Sequence, residues 1–188
     1  MYNLLFKIYS HYLMWVKDFR WRYYLYRFKD QIEFEGIPDI DQSVHLVFQT
    51  ETSKLVIGSN FIARSYCSFL LTEDAKIVLG NDVFFNRLCS LNAMQKIEIG
   101  DSTIFGENVK IYDHNHKFSN TVTDIADQGY KISPVSIGRN CWIGSDTIIL
   151  PGVTIGDNVI IGAGNLIFKS LPSNTIIKAK RDVIVSVL

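Results

Sequence analysis

Large apolar residues return at every sixth position through the C-terminal half of the chain, where Ile137, Ile143, Ile149, Ile155, Ile161 and Ile167 hold one slot without a break. Glycine follows four of them, at Gly138, Gly144, Gly156 and Gly162, so the stretch reads as repeats of Ile-Gly-x-x-x-x. A short fixed period of this kind builds a parallel β-helix, in which each repeat buries one large side chain against its neighbours. The slot continues backward as trios at the same spacing: Ile99, Phe105 and Ile111, then Leu79, Phe85 and Leu91, then Ile57, Ala63 and Phe69. Three hexads make one turn of a triangular spool. The pattern therefore predicts coils at 57–74, 79–96, 99–116, 137–154 and 155–172, with a weaker opening coil near Ile40.

The fifth hexad position offers an independent check, because in a tight triangular coil it also faces inward and has room only for a small side chain. Cys67, Val83, Cys89, Thr103, Val109, Cys141, Thr147, Val153 and Val159 occupy it. Phe61, Glu73, Gln95, Asn115, Asn165 and Leu171 break the rule, mostly where a trio or coil ends. All three cysteines fall in this slot, where a thiol serves as a small buried hydrophobe rather than as a nucleophile or disulfide partner.

The chain divides into an N-terminal aromatic and basic segment over 1–36, an all-β repeat domain over 37–175 carrying an inserted loop at 112–136, and a tail over 176–188. In the first segment Leu5, Ile8, Tyr12, Trp15, Phe19, Tyr23 and Tyr26 recur at spacings of three and four, which predicts one face of an amphipathic α-helix. Lys7, Lys17, Arg20, Arg22, Arg27 and Lys29 outnumber Asp18 and Asp30 there. Three readings stand side by side for this helix: a cap over the open end of the solenoid, a contact of residues 1–30 with a membrane surface, or a contact with another protein.

Over the whole chain of 188 residues the formal charge is +0, so no global field argues for nucleic acid. The first ten residues carry no signal-peptide pattern, no apolar run has the length of a membrane span, and the odd cysteine count is unlike a disulfide framework. The expected compartment is the cytoplasm, with the aromatic helix offering a peripheral contact at the inner face of the membrane.

Candidate chemistry lies where the repeat is interrupted, at Tyr112-Asp113-His114-Asn115-His116-Lys117-Phe118. A long structureless insertion in a compact repeat is usually functional, and two of the four histidines sit at its root. Residues two apart on an extended segment point to the same side, so both rings can reach one cleft.

The phrases Val135-Ser136-Ile137-Gly138-Arg139-Asn140-Cys141-Trp142-Ile143-Gly144-Ser145 and Ile149-Leu150-Pro151-Gly152-Val153-Thr154-Ile155-Gly156-Asp157-Asn158-Val159-Ile160-Ile161-Gly162-Ala163-Gly164 resemble those of the hexapeptide-repeat O-acetyltransferases. That group contains the maltose and galactoside acetyltransferases, the xenobiotic acetyltransferases and enzymes that decorate capsule and O-antigen sugars. The resemblance covers roughly residues 55–175 and implies a left-handed parallel β-helix, a homotrimer with its active site between subunits, acetyl-CoA as donor and a carbohydrate hydroxyl as acceptor.

By the same resemblance, His116 is the first candidate for the general base and His114 the second. Asn86, Tyr112 and Asp113 are candidates for contact with the acceptor. Trp142, Ser145, Gly162, Ala163 and Lys169 match stretches that line the coenzyme A groove, and Lys180 and Arg181, beside Lys178, are candidates for its nucleotide phosphates. Two departures stand out: Asn92-Ala93-Met94 replaces an acceptor-binding aspartate of some relatives, and Ile176-Ile177-Lys178-Ala179 replaces a Gly-x-Pro-Ala-like phrase.

The expected function is acetyl-CoA-dependent O-acetyl transfer to a carbohydrate in surface polysaccharide assembly. A non-catalytic solenoid scaffold or a membrane-associated binding protein is the alternative. No metal is expected, since only His45 could join His114 and His116, and that pair is wrongly spaced for the zinc hydratases built on this fold.

Overall fold

The computed structural model describes residues 21–119 and 121–178. Three parallel sheets close into a triangular tube. The first face stacks Ile32–Phe34, Lys54–Ile57, Lys76–Leu79, Lys96–Ile99, Val135–Ile137 and Thr154–Ile155. The second stacks Asp39–Ile40, Ile62–Ala63, Phe84–Phe85, Ile104–Phe105, Trp142–Ile143, Ile160–Ile161 and Ile176–Ile177. The third stacks His45–Phe48, Ser68–Leu71, Ser90–Ala93, Lys110–Tyr112, Ile148–Ile149 and Leu166–Ile167. Each strand pairs with its equivalent one coil away, so Ile99 sits between Leu79 and Ile137.

The tube differs from the sequence expectation at its margins. Its first coil opens at Ile32, inside the segment assigned to the helix, because Ile32 faces inward at 5% exposure and pairs with Leu55. At the other end Ile176–Ile177 adds a strand to the second face beyond residue 175. The insertion is shorter, spanning 113–134: Tyr112 stays in register with Asn92, and buried Val135 already pairs with Ile97.

The slips between trios have a packing cause. In the early coils the first and third faces use four-residue strands with two inward side chains each, such as Leu55 with Ile57 and Phe69 with Leu71, all buried. From Ile143 onward the strands shorten to two residues, and the strict hexad period returns. Phe61 and Ala63 exchange roles: the large ring fills the slot expected to be small and alanine the slot expected to be large, both fully buried. Total volume is kept, which cores tolerate best.

Phe61 leads a column of rings through Phe69 and Phe85 to Phe105, the last two stacked at 4.4 Å and 9°. Truncating Phe85 there would cost about 3–5 kcal/mol.

The three cysteines line the interior as expected. Their thiols donate to carbonyls one coil on, Cys67 to Asn86 at 3.0 Å, Cys89 to Gly106 at 3.1 Å and Cys141 to Gly156 at 3.2 Å. Contact with the Cys67 thiol and burial both push the Cys89 thiol up, and burial pushes the Cys141 thiol up, which suits inert packing residues.

The corner between the first and second faces needs a left-handed residue in every coil, supplied by Gly36 in the first and then by Asn60, Asp82, Ser102, Asn140, Asn158 and Asn174. Short polar side chains tolerate that conformation. They also bond to one another along the tube axis, as in Asn140 to Asn158 at 2.8 Å and Asn158 to Asn174 at 3.0 Å.

A helix at 21–27 lies over the opening coil. Trp21, Tyr24, Leu25 and Phe28 pack against the core, with Phe28 at 4.7 Å from Phe48 and Trp21 at 5.9 Å from Phe34. Tyr23 and Tyr26, the last members of the expected apolar stripe, are instead 56% and 82% exposed. The helix is rotated so that its other aromatic face covers the coil. The remaining members of the stripe lie outside the described residues.

Candidate active site

Asp113 is the first residue after the fourth coil and is fully buried. Its carboxylate accepts the backbone N–H groups of Met94, Gln95 and Lys96 at 2.7–3.1 Å, tying the insertion to the corner one coil below. Its remaining partner is Nδ1 of His114 at 2.9 Å. A carboxylate can only accept, so in the neutral imidazole Nδ1 carries the proton and Nε2 the lone pair. The expectation that Asp113 touches an acceptor fails here, because no surface of it is free to do so. It positions His114.

The insertion is not structureless. His114–His116 pairs antiparallel with Tyr130–Ile132, joined through a short 3-10 turn at Ile125–Gln128. The two imidazoles share a side, as the alternation predicts, and both meet the Tyr130 ring, His114 at 5.4 Å edge-on and His116 at 4.6 Å tilted. His114 is the one with a buried carboxylate behind it, while His116 is exposed. Geometry thus distinguishes two histidines that share one side of the hairpin. Tyr130 escaped the sequence reading, since a lone tyrosine in an irregular stretch has no periodicity to mark it.

The other candidates gather along a different corner, between the second and third faces. One position past each second-face strand stand, coil by coil, Asp41, Arg64, Asn86, Gly106, Gly144, Gly162 and Lys178. Two of the glycines, Gly106 and Gly144, are demanded by close approach. A Cβ at Gly106 would lie 2.5 Å from the Ser145 nitrogen, and one at Gly144 2.5 Å from the Ala163 nitrogen.

Ser145 and Ala163 follow in the next column. The Ser145 hydroxyl accepts the Glu107 N–H at 3.0 Å, which gives it a structural task whatever else it does. Asn86 accepts the Arg87 N–H at 3.0 Å through Oδ1, leaving its amide nitrogen available. Trp142 projects from the second face at 53% exposure beside Ile104 and Ile160, over a groove of ≈ 280 Å³.

Not every candidate shares this edge. Lys169 follows the third-face strand Leu166–Ile167, with its ammonium 5.7 Å from the Phe168 ring, and so belongs to the histidine edge. Tyr112 projects half-buried from the third face. Lys180 and Arg181 lie outside the described residues.

In one chain the two edges are separated by the whole third face, on the order of 15–20 Å at about 3.3 Å per extended residue. His114 stands level with the fourth coil and therefore with Gly106, between Asn86 one coil below and Ser145 one coil above. A histidine on one edge and the backbone-lined corner on the other cannot meet on the same molecule.

Residues 134–169 match the family model described as bacterial transferase hexapeptide (six repeats). A protein of Escherichia coli K12 that carries the name colanic acid biosynthesis acetyltransferase WcaF is 30% identical over 131 residues, covering 69% of this chain and 67% of that one. The galactoside O-acetyltransferase of the same organism is 34% identical over 103 residues, 54% of this chain and 49% of its own length, so the chain spans about half of it. Among solved structures, a point mutant of AntD, an N-acyltransferase from Bacillus cereus in complex with dTDP-4-amino-4,6-dideoxyglucose and coenzyme A, superposes with a TM-score of 0.65 at 20% identity, covering 77% of each chain. That likeness is one of fold. Repeat, coil geometry and the extent of the match to WcaF together place the chain in the hexapeptide-repeat acetyltransferase family.

Proposed function

We propose that the protein transfers an acetyl group from acetyl-CoA to a carbohydrate hydroxyl, with His114 as general base. The observation that carries this reading is the buried Asp113 carboxylate on Nδ1 of His114, 2.9 Å away, which leaves Nε2 as a proton acceptor at the root of the insertion. The names of the relatives, a colanic acid biosynthesis acetyltransferase and a galactoside O-acetyltransferase, support a sugar acceptor in surface polysaccharide assembly. The coenzyme A in the AntD complex supports the donor.

In the reaction the acceptor hydroxyl oxygen attacks the thioester carbonyl carbon as Nε2 takes its proton. The C–S bond then breaks, and the imidazolium returns that proton to the departing thiolate. No covalent acyl-enzyme forms, in keeping with three cysteines shut inside the tube. The glycine edge lets the pantetheine arm approach the backbone, and Lys178 at its end can meet phosphate charge.

Because base and groove occupy different edges, the working unit in this reading is a homotrimer in which each His114 faces the groove of a neighbour. The second face presents Ile62, Ile104, Trp142, Ile160 and Ile176 outward, each at least 36% exposed, an apolar column that a neighbouring copy would cover.

His114→Ala tests the reading. Thiol release from acetyl-CoA in the presence of sugar acceptors should fall by about 10²–10⁴-fold with donor affinity unchanged. Full turnover in that variant would defeat the assignment, and a monomeric sedimentation profile for the active protein would defeat the shared site.

A further inference from the structure

The groove edge changes character along the axis. In the fourth to sixth coils its leading residue is glycine, followed by Glu107, Ser145 and Ala163. In the second and third coils it carries Arg64, Ser65, Asn86 and Arg87 around a cavity of ≈ 480 Å³ that also touches Asp39, Asp41, Phe84 and Glu107. That volume suits a sugar unit with a substituent.

The turn residues differ as well. Where later coils place Asn108, Asp146 and Gly164 at positive φ, these two place Tyr66 at φ 63° and Leu88 at φ 64°. Bulky side chains in that region are strained, because Cβ crowds the following carbonyl oxygen. Strain of this kind concentrates where a site needs a particular wall.

The charges in the cavity are not equivalent. Arg87 donates from Nε and Nη2 to Glu107 Oε1, at 3.1 and 2.7 Å, so that pair is internally neutral. Asp41 Oδ1 accepts the N–H and the hydroxyl of Ser43 at 2.9 and 2.6 Å. Asp39 and Asp41 belong to the first coil, at the end of the cavity remote from the level of His114. Arg64 has no carboxylate within ion-pairing distance among the described residues. Its guanidinium instead lies over the Phe84 ring, 5.3 Å from the centroid, on an exposed side chain.

We propose that Arg64 is a specificity-determining residue that selects an acceptor bearing a negative charge, a carboxylate or a phosphate, close to the hydroxyl that is acetylated. The proposal rests on the acetyl-transfer reading above and concerns the same cleft. Coils stack about 4.8 Å apart, so Arg64 lies two coils below the level of His114, with Asn86 between them. An acceptor whose hydroxyl reaches the base of a neighbouring copy would lie across Asn86 and direct its substituent to Arg64. A planar guanidinium fixed over a ring presents paired donors that match either anion.

The test compares matched acceptors with the full chain and acetyl-CoA: methyl hexopyranosides, the corresponding methyl hexuronides and hexose 1-phosphates, with thiol release as readout. The wild type should favour one anionic series over the neutral one by about tenfold or more in kcat/KM, as for a hydrogen bond to a charged group. Whichever anionic series is favoured identifies the anion as carboxylate or phosphate. In Arg64→Gln that preference should collapse toward unity through KM for the anionic acceptor, with KM for acetyl-CoA unmoved, and Arg64→Lys should restore part of it. An unchanged preference in Arg64→Gln, or a wild type that favours neutral acceptors, overturns the proposal while acetyl transfer stands. A wild type that acetylates none of the three series overturns the sugar-acetylating reading and this proposal with it.

Discussion

Two edges of the same tube, wound from the same repeat, end up with opposite chemistry. Between the second and third faces, Gly106, Gly144 and Gly162 reduce the wall to backbone, and the approach of successive coils forbids a Cβ at Gly106 or Gly144. Between the third and first faces the chain leaves the tube, and Asp113 is buried under three backbone N–H groups with a histidine attached. One edge is shaped by the absence of side chains and the other by one firmly held side chain. A repeat gives the first almost without effort, because glycine recurs with the period. The second needs the repeat to be broken.

The comparison can be broken most severely at Asp113. Asp113→Asn turns an acceptor-only group into one that presents N–H to N–H, so acetyl transfer should fall by about 10²–10⁴-fold. Stability should fall as well, by about 3 kcal/mol, since a buried network loses its acceptor. His114→Ala should match the loss of activity with an almost unmoved unfolding midpoint. Thermal unfolding read beside kcat separates the two, and equal stability losses would mean that Asp113 does not hold the corner.

Whether the two edges cooperate across copies can be sharpened by mixing. At limiting donor a chain with His114→Ala should be nearly inactive and a chain with Ala163→Trp should keep about a tenth of the rate. Refolded together in equal amounts they should recover about one quarter of the wild-type rate, because a site with one intact base and one intact groove arises by chance in that share of interfaces. No recovery would place both halves of the site on one chain.

Smaller effects follow on the groove side alone. Ala163→Trp should raise KM for acetyl-CoA by about tenfold with kcat at saturation retained, the mark of lost uniform binding. His116→Ala should change kcat by less than about fivefold, since His116 is exposed and leans on Tyr130 without a carboxylate behind it. A loss there as deep as in His114→Ala would restore the ranking that sequence suggested.

Much of the tube was legible in the sequence because hexad spacing reports directly on which side chains face inward. Ile137 through Ile167 needed no tertiary information. The opening coil was obscured, since Ile32 and Leu46 stand without regular companions, and Pro38 and Gly36 look like punctuation ahead of a domain rather than its first corner. Phe61 looked like a violation of the rule for small slots, and only its packing against Phe69 and Phe85, with small Ala63 in the large slot, explains it.

The site was legible as a list and not as an arrangement. Spacing brought His114 and His116 to one side but could not rank them, because the ranking comes from Asp113 reaching Met94, Gln95 and Lys96 in another coil. Nor could it reveal that Lys169 shares the histidine edge. Column membership depends on where each corner falls, and the corners shift wherever a strand gains two residues.

The helix at 21–27 bears on how the molecule stays a discrete particle. A tube whose cross-section repeats along its axis offers unpaired strand ends at each mouth, and any second tube brought mouth to mouth could continue the sheets. Trp21, Tyr24, Leu25 and Phe28 occupy one mouth, and the Gln31 amide bonds to the Thr50 carbonyl at 2.7 Å across it. Deleting residues 1–30 should therefore yield fibres that lengthen with concentration, visible by light scattering. The intact chain should stay at one size.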